Sequence, residues 1–179
     1  MIYATYYQSM IGRLLLASDG ENIIGLWMDQ QKYYKASYQE EFIENNELAI
    51  FIKAKQWLDD YFSGKKPELS QLSLKPKGTE FQQDVWQILC EIPYGTLSTY
   101  GEIAKKIAAK KGLTSMSAQA VGGAVGHNPI SVIIPCHRVV GSNGSLTGFA
   151  GGIDKKVKLL ELENVALNEL VRPTKGSAL

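Results

Sequence analysis

A cysteine and a histidine stand side by side in Ile133-Ile134-Pro135-Cys136-His137-Arg138-Val139-Val140, behind a proline and at the end of a β-branched run. The chemistry open to such a pair is nucleophilic. A free thiol is weakly ionised at neutral pH, the thiolate is the form that attacks, and an imidazole that accepts the proton makes the sulfur reactive. The β-branched residues predict a strand, and because a proline removes a ladder donor the strand should end near Pro135, with Cys136 at its exit. Successive side chains on a strand face opposite ways, so contact between Cys136 and His137 requires a turn or a bridging water. Taken alone, the pair fits a buried, inert cysteine beside a hydrogen-bonded histidine better still, since free cysteine is among the most buried residue types. The other cysteine, Cys90, and the other histidine, His127, add no zinc-ligand spacing and no disulfide framework, so reduced thiols and no metal or cofactor are expected.

The elements that must position this pair are legible from composition and periodicity. A chain of 179 residues, 45% hydrophobic, suffices for one ordinary domain or two small ones. No apolar stretch approaches the roughly 20 residues that span a bilayer, and the first residues lack the organisation of a secretory signal, so a cytoplasmic protein without membrane contact is expected. The formal charge of +1 conceals an asymmetry: residues 1–76 carry eight Lys/Arg against ten Asp/Glu, residues 77–179 eleven against eight. Between residues 98 and 140, Lys105, Lys106, Lys110, Lys111 and Arg138 face only Glu102. That local excess suits a polyanion, although a solvated helix face is the commoner meaning of a lysine cluster.

In the first half, Ile2–Tyr7, Gly12–Ser18 and Asn22–Met28 read as strands of an antiparallel meander. A helix from about Glu47 to Phe62, stopped by Ser63-Gly64, should cover the sheet. Residues 63–78, with two prolines and two glycines, mark a boundary, giving domains 1–76 and 77–165 and a tail 166–179. The second half is mostly helical. Phe81, Val85, Trp86, Ile88 and Leu89 form one amphipathic face, Thr99-Tyr100-Gly101-Glu102 fits a capping box, and a further helix starts near Ser117. Outside Val121 and Val125 that helix is nearly bare: Ala118, Ala120, Gly122, Gly123, Ala124 and Gly126. Each helical glycine costs about 1 kcal/mol relative to alanine, so something must approach this backbone, whether another helix or a ligand. Two capped helices followed by strand-like Ile130–Ile134 suggest a helix-turn-helix with a wing.

Pro135-Cys136-His137-Arg138-Val139, with Ala120-Val121-Gly122-Gly123-Ala124-Val125-Gly126-His127-Asn128-Pro129 upstream, resembles the O6-alkylguanine-DNA alkyltransferases. The similarity runs from about Phe81 to Glu163. It implies an α+β protein with an N-terminal ribonuclease-H-like domain and a C-terminal winged helix-turn-helix domain. It also implies a single-turnover activity that flips an alkylated guanine from duplex DNA and takes the alkyl group onto Cys136, with O4-alkylthymine as a secondary substrate. A stacked base shields its O6 substituent, so flipping is physically required. Within the resemblance His137 is the water-mediated base, Glu163 the carboxylate that orients it and favours imidazolium, Asn128 the hinge, and Tyr100 the phenol that contacts the flipped base. Carbonyls of Cys136 and Val139 meet the exocyclic amine, and Phe149, Ala150 and Gly151 edge the pocket. The implied partner is duplex DNA, bound through its minor groove by a monomer, with Thr99, Gln119, Ala120, Gly123 and Ser142 in contact. A groove about 6 Å wide explains the small-residue helix.

Two positions depart from the family pattern. Gln119 stands where many relatives place an arginine, and Phe149 where many place a tyrosine, which bears on rate and substrate breadth. Three other readings remain: a non-catalytic damage sensor, a thiol hydrolase, and a helix-turn-helix regulator. The first lacks a need for Cys136, the second regenerates its thiol, and the third leaves the cysteine site unexplained.

Overall fold

The computed structural model describes residues 1–35 and 38–173. They form two compact units, Met1–Gly78 with Pro129–Ile133, and Thr79–Asn128 with Ile134 onward.

In the first unit, β1 (Ile2–Ser9), β2 (Gly12–Ser18) and β3 (Ile23–Met28) form the expected meander, and a fourth strand, β4 (Phe42–Glu44), runs parallel to β1. The sheet order is β3-β2-β1-β4. Three residues carry too little alternation to announce a strand, so β4 went unforeseen. Strand period two sends Leu15 and Ala17 to one face, where they meet Ile2, Ala4, Ile24 and Trp27, with Tyr34, Tyr38 and Phe42 packed against them. Gly25 is required here: a Cβ would lie within 2.0 Å of the Trp27 indole, which crosses the glycine. The opposite face is covered by α1 (Ala49–Phe62), which contacts β1, β2 and β3 and buries Ile50, Phe51, Ala54, Trp57, Leu58 and Tyr61. Each large apolar side chain so buried contributes roughly 1.5–3 kcal/mol.

The second unit holds α2 (Glu80–Cys90), β5 (Ser98–Thr99), α3 (Tyr100–Lys111), α4 (Ala118–Gly126), β6 (Val139–Val140) and α5 (Ile153–Leu162). Both α2 and α3 begin with reciprocal capping boxes, Thr79 with Gln82 and Thr99 with Glu102, and Ser117 caps α4. The α2, α3 and α4 helices pack on one another, and the Trp86 indole N–H donates to the Ala124 carbonyl at 2.8 Å, holding α4 in place. Among the described residues no helix is long and apolar enough to cross a membrane.

The β-branched run departs from expectation. Ile130 bridges Leu26, but the chain then turns, with Val132 in the left-handed region at φ 71°, and Cys136–Arg138 is a single 3-10 turn. The run supplies core side chains rather than a wing strand: Ile130, Val132, Ile133 and Ile134 are all buried. A strand needs a partner for its whole length, and here only Ile130 has one. A parallel pairing of β5 with β6 forms the small sheet of this unit instead. The predicted tail from 166 is described as far as residue 173. Leu167 and Leu170 pack against the Val140, Leu146 and Leu160 cluster, and Val171 exchanges backbone hydrogen bonds with Gly144 and Leu146. Residues 174–179 of that predicted tail lie outside the described residues.

Candidate active site

The 3-10 turn puts Cys136, His137 and Arg138 on consecutive steps of one tight bend, all buried. Cys136 keeps 5% of its surface and His137 none. Burial pushes the Cys136 thiol up. A hydrogen bond from Asn128, the charge of Lys156 and the backbone amides of Cys136 and His137 pull the other way without overcoming it. The sulfur is therefore a protonated thiol at rest, with donors already placed to receive the thiolate. Asn128 follows α4 directly, and its side-chain amide also donates to the Ile134 carbonyl at 2.9 Å, which joins the end of α4 to the chain entering the cysteine turn.

His137 Nε2 lies 2.5 Å from Glu163 Oε2, with both side chains inaccessible. Glu163 stands at the C-cap of α5 and takes three further donors: the Gly95 amide at 2.9 Å and Arg138 Nε at 2.8 Å on Oε1, and Arg138 Nη2 at 3.3 Å on Oε2. Burial raises the Glu163 carboxyl, but the hydrogen bonds and charges of His137 and Arg138 outweigh it and hold the group well below the carboxylate range. An ionised carboxylate only accepts, so Nε2 carries the imidazole hydrogen and Nδ1 the lone pair. Glu163 favours imidazolium, as expected, through its hydrogen bond and its charge, but other influences prevail. Burial lowers His137, Arg138 and Lys156 lower it further, and the carboxylate does not compensate, so the ring is neutral at rest.

Two site residues escaped the sequence reading. Arg138 was counted in the basic cluster, yet its guanidinium is committed to Glu163 and, through Nη1 at 2.7 Å, to the Ile92 carbonyl. Lys156 is fully buried, with Nζ donating to the carbonyls of Val139 at 2.5 Å and Thr147 at 2.9 Å. Burial brings its ammonium down to about 8, and the charge of Cys136 opposes that. One signal was available: Ile153, Lys156, Val157 and Leu160 share a helical face, so a lysine occupies an apolar stripe.

The remaining candidates divide between pocket and surface. The Tyr100 hydroxyl donates to the Thr147 carbonyl at 2.7 Å, and burial pushes its phenol up to about 12. Gly148, at φ 83°, lies so close that a Cβ would meet Tyr100 Oη at 2.4 Å. The Cys136 carbonyl accepts from the Val139 amide and the Val139 carbonyl from Lys156, which leaves each a second lone pair. Phe149 is buried, and Ala150 and Gly151 form the half-buried turn into α5. On α4, Gln119, Ala120 and Gly123 are exposed; Ser142 is exposed beyond β6, and Thr99 is half-buried at its cap. A Cβ at Gly123 would meet nothing within 4 Å, and one at Gly122 would rest on the Tyr100 ring at an ordinary 3.8 Å, so internal packing demands neither glycine. The basic cluster is smaller than its sequence suggested, because Lys110 and Lys111 pair with Asp84 of α2 at 2.8 and 3.4 Å. Lys105 and Lys106 remain exposed.

Comparison with known proteins gives one answer for both parts of the chain. Residues 80–165 match the family of the 6-O-methylguanine DNA methyltransferase DNA-binding domain, and residues 2–76 that of its ribonuclease-like domain. A methylated-DNA–protein-cysteine methyltransferase of Haemophilus influenzae is 46% identical over 164 residues, covering 92% of this chain and 87% of the relative. One from Methanosarcina acetivorans is 44% identical over 90% of this chain and 98% of its own. Among solved structures, Mycobacterium tuberculosis OGT in complex with DNA superposes with a TM-score of 0.78 at 42% identity, over 90% of this chain and 92% of the other. With both parts matched and the Cys-His turn in place between α4 and α5, the chain belongs to the methylated-DNA–protein-cysteine methyltransferase family.

Proposed function

We propose that this protein repairs DNA by moving an alkyl group from O6 of guanine to Sγ of Cys136, once per molecule. The observation that carries this reading is the buried Cys136 thiol, held among the donors of Asn128 and two backbone amides, one step along a tight turn from a neutral imidazole fixed by Glu163. His137 Nδ1 takes the thiol proton, directly or through water, as sulfur attacks the alkyl carbon. The carbon–O6 bond breaks, its electron pair stays on the guanine, and the base leaves neutral after gaining one proton. In net terms the alkyl group passes from O6 to Sγ, and the proton lost by the thiol, relayed through His137, ends on the released guanine. Glu163 stabilises the transient imidazolium, and Tyr100, whose phenol stays protonated over the working pH range, donates to the base as negative charge develops. A thioether sulfur is a poor leaving group, so the cysteine is not regenerated.

The target base must leave the stack to reach a thiol this deeply placed. The bare outer face of α4 fits the minor groove, where a helix with side chains of ordinary bulk enters poorly. Gln119 fills the space the base vacates, Thr99, Ala120, Gly123 and Ser142 line the same approach, and Lys105 and Lys106 meet phosphates, which makes affinity salt-dependent. The protein acts as a monomer in the cytoplasm, with O4-alkylthymine as a secondary substrate.

The test is intact-protein mass spectrometry with peptide mapping after mixing equimolar protein and a duplex containing one O6-methylguanine. One methyl on the Cys136 peptide, with no turnover beyond one equivalent, is the expected result. Multiple turnovers with an unmodified cysteine would point to a hydrolase and overturn the reading.

A further inference from the structure

We propose that Arg138 is a positioning residue for this reaction: by gripping both oxygens of Glu163 it fixes the hydrogen of His137 on Nε2 and keeps the imidazole uncharged until the thiol proton arrives. The inference rests on the transfer reaction proposed above and assigns the control of its base.

The geometry leaves Arg138 no other task. Its side chain is nearly inaccessible, Nε and Nη2 lie on the two carboxylate oxygens at 2.8 and 3.3 Å, Nη1 lies on the Ile92 carbonyl at 2.7 Å, and the guanidinium sits 5.7 Å from the Tyr94 ring centre. No phosphate can reach a head so committed. A buried ion pair adds little net stability over apolar packing, so the fold alone does not call for one here. The chemistry does. A buried carboxylate whose sole counter-group were His137 would draw a proton onto the ring, and an imidazolium cannot accept from Cys136. Arg138 supplies the countercharge instead, so Glu163 stays ionised without demanding a charged partner. The groups facing His137 are Glu163, which favours the charged ring, and Arg138 and Lys156, which disfavour it, with the Cys136 sulfur beside them. Lysine could not replace the arginine, because one ammonium cannot span both oxygens and the Ile92 carbonyl in a planar fork.

The experiment uses full-length wild type, Arg138→Gln and Arg138→Lys. Nitrogen-15 NMR follows the two imidazoles of the chain across pH without DNA, His127→Asn assigning them, and single-turnover methyl transfer from an O6-methylguanine duplex is timed over the same range. In the wild type His137 is a neutral Nε2–H ring and the acid limb of transfer lies below pH 6.5. Arg138→Gln raises the His137 titration and the acid limb together by about one pH unit or more. Transfer then falls near neutrality and recovers at higher pH, which a merely structural defect would not do. Arg138→Lys gives a smaller shift in the same direction with a mixed tautomer. A folded Arg138→Gln with the wild-type limb and an unchanged Nε2–H ring overturns the assignment. If the glutamine variant does not fold, the lysine variant decides by the same criterion. A wild type that shows the expected ring but transfers no methyl overturns the transfer reaction and leaves the Arg138–His137 coupling to be read from the spectra.

Discussion

The interiors of the two units are built from different materials. Around the sheet of the first, the buried polar side chains are neutral: Thr5 donates to Asn46, the Ser18 hydroxyl accepts from the Gly20 amide, and Gln31 accepts from the Met28 amide. In the second, His137, Arg138, Lys156 and Glu163 are all withdrawn from water beside Cys136. Burying charge is expensive unless each group is paired, and here every one has a partner on another turn or helix. The first interior therefore follows from apolar burial alone, whereas the second gives up packing energy to hold four ionisable side chains against one thiol. That expense is intelligible only as chemistry.

The contrast breaks most sharply at the sulfur. Cys136→Ser should abolish methyl transfer while leaving the affinity for a damaged duplex near wild type, measured by single-turnover assay and fluorescence anisotropy. Undiminished transfer would remove Cys136 as acceptor. Glu163→Gln comes next, because it strands the buried Arg138 cation: about 3–5 kcal/mol of stability should disappear in denaturant unfolding, and transfer should slow by roughly 10²–10⁴ with the loss of the base's orienting group. It also sharpens the pH dependence. The folded-state values of His137 and Glu163 are both lowered, so their stabilisation is complete above the unfolded values and is lost on acidification. Wild-type stability thus declines below pH 6.5, and between pH 4.5 and about 2 the Glu163 part follows, a segment absent from Glu163→Gln.

A matched insult to the first unit should act differently. Leu15→Ala, in the sheet core, removes about 2–5 kcal/mol of stability and leaves the pH profile of methyl transfer unmoved at temperatures where the protein stays folded. A shifted profile would mean that the charged site depends on the apolar unit. The smallest change is Gly123→Ala on α4, where a Cβ meets nothing. It should raise stability by up to about 1 kcal/mol and weaken binding to duplex DNA. Unchanged affinity would take α4 out of the groove.

Much of the site was legible in the residues, though through two kinds of signal. The capping box at Thr99, the Ser117 cap and the apolar stripe of α1 rest on local rules, and the structure places them where the spacing predicts. The triad Cys136, His137 and Glu163 came from resemblance; 25 residues separate the acid from the turn, and no periodicity joins them. The failures share one physical origin. Ile130–Ile134 has strand composition but a single strand partner, and β4 is too short for a pattern. Lys110 and Lys111 of α3 meet an aspartate that lies outside any local window.

By itself, the sequence determined which segments become helices, where they start, that one helix is left nearly bare, and that a thiol stands beside an imidazole. Those features depend on residues within a turn or two of one another. Only the tertiary structure decided the charge states at the centre: that Cys136 is a thiol, that His137 is neutral despite its carboxylate, and that Arg138 and Lys156 face inward rather than toward DNA. Proton affinities in a protein are set by burial and by charges brought together from distant parts of the chain, and those distances exist only after folding.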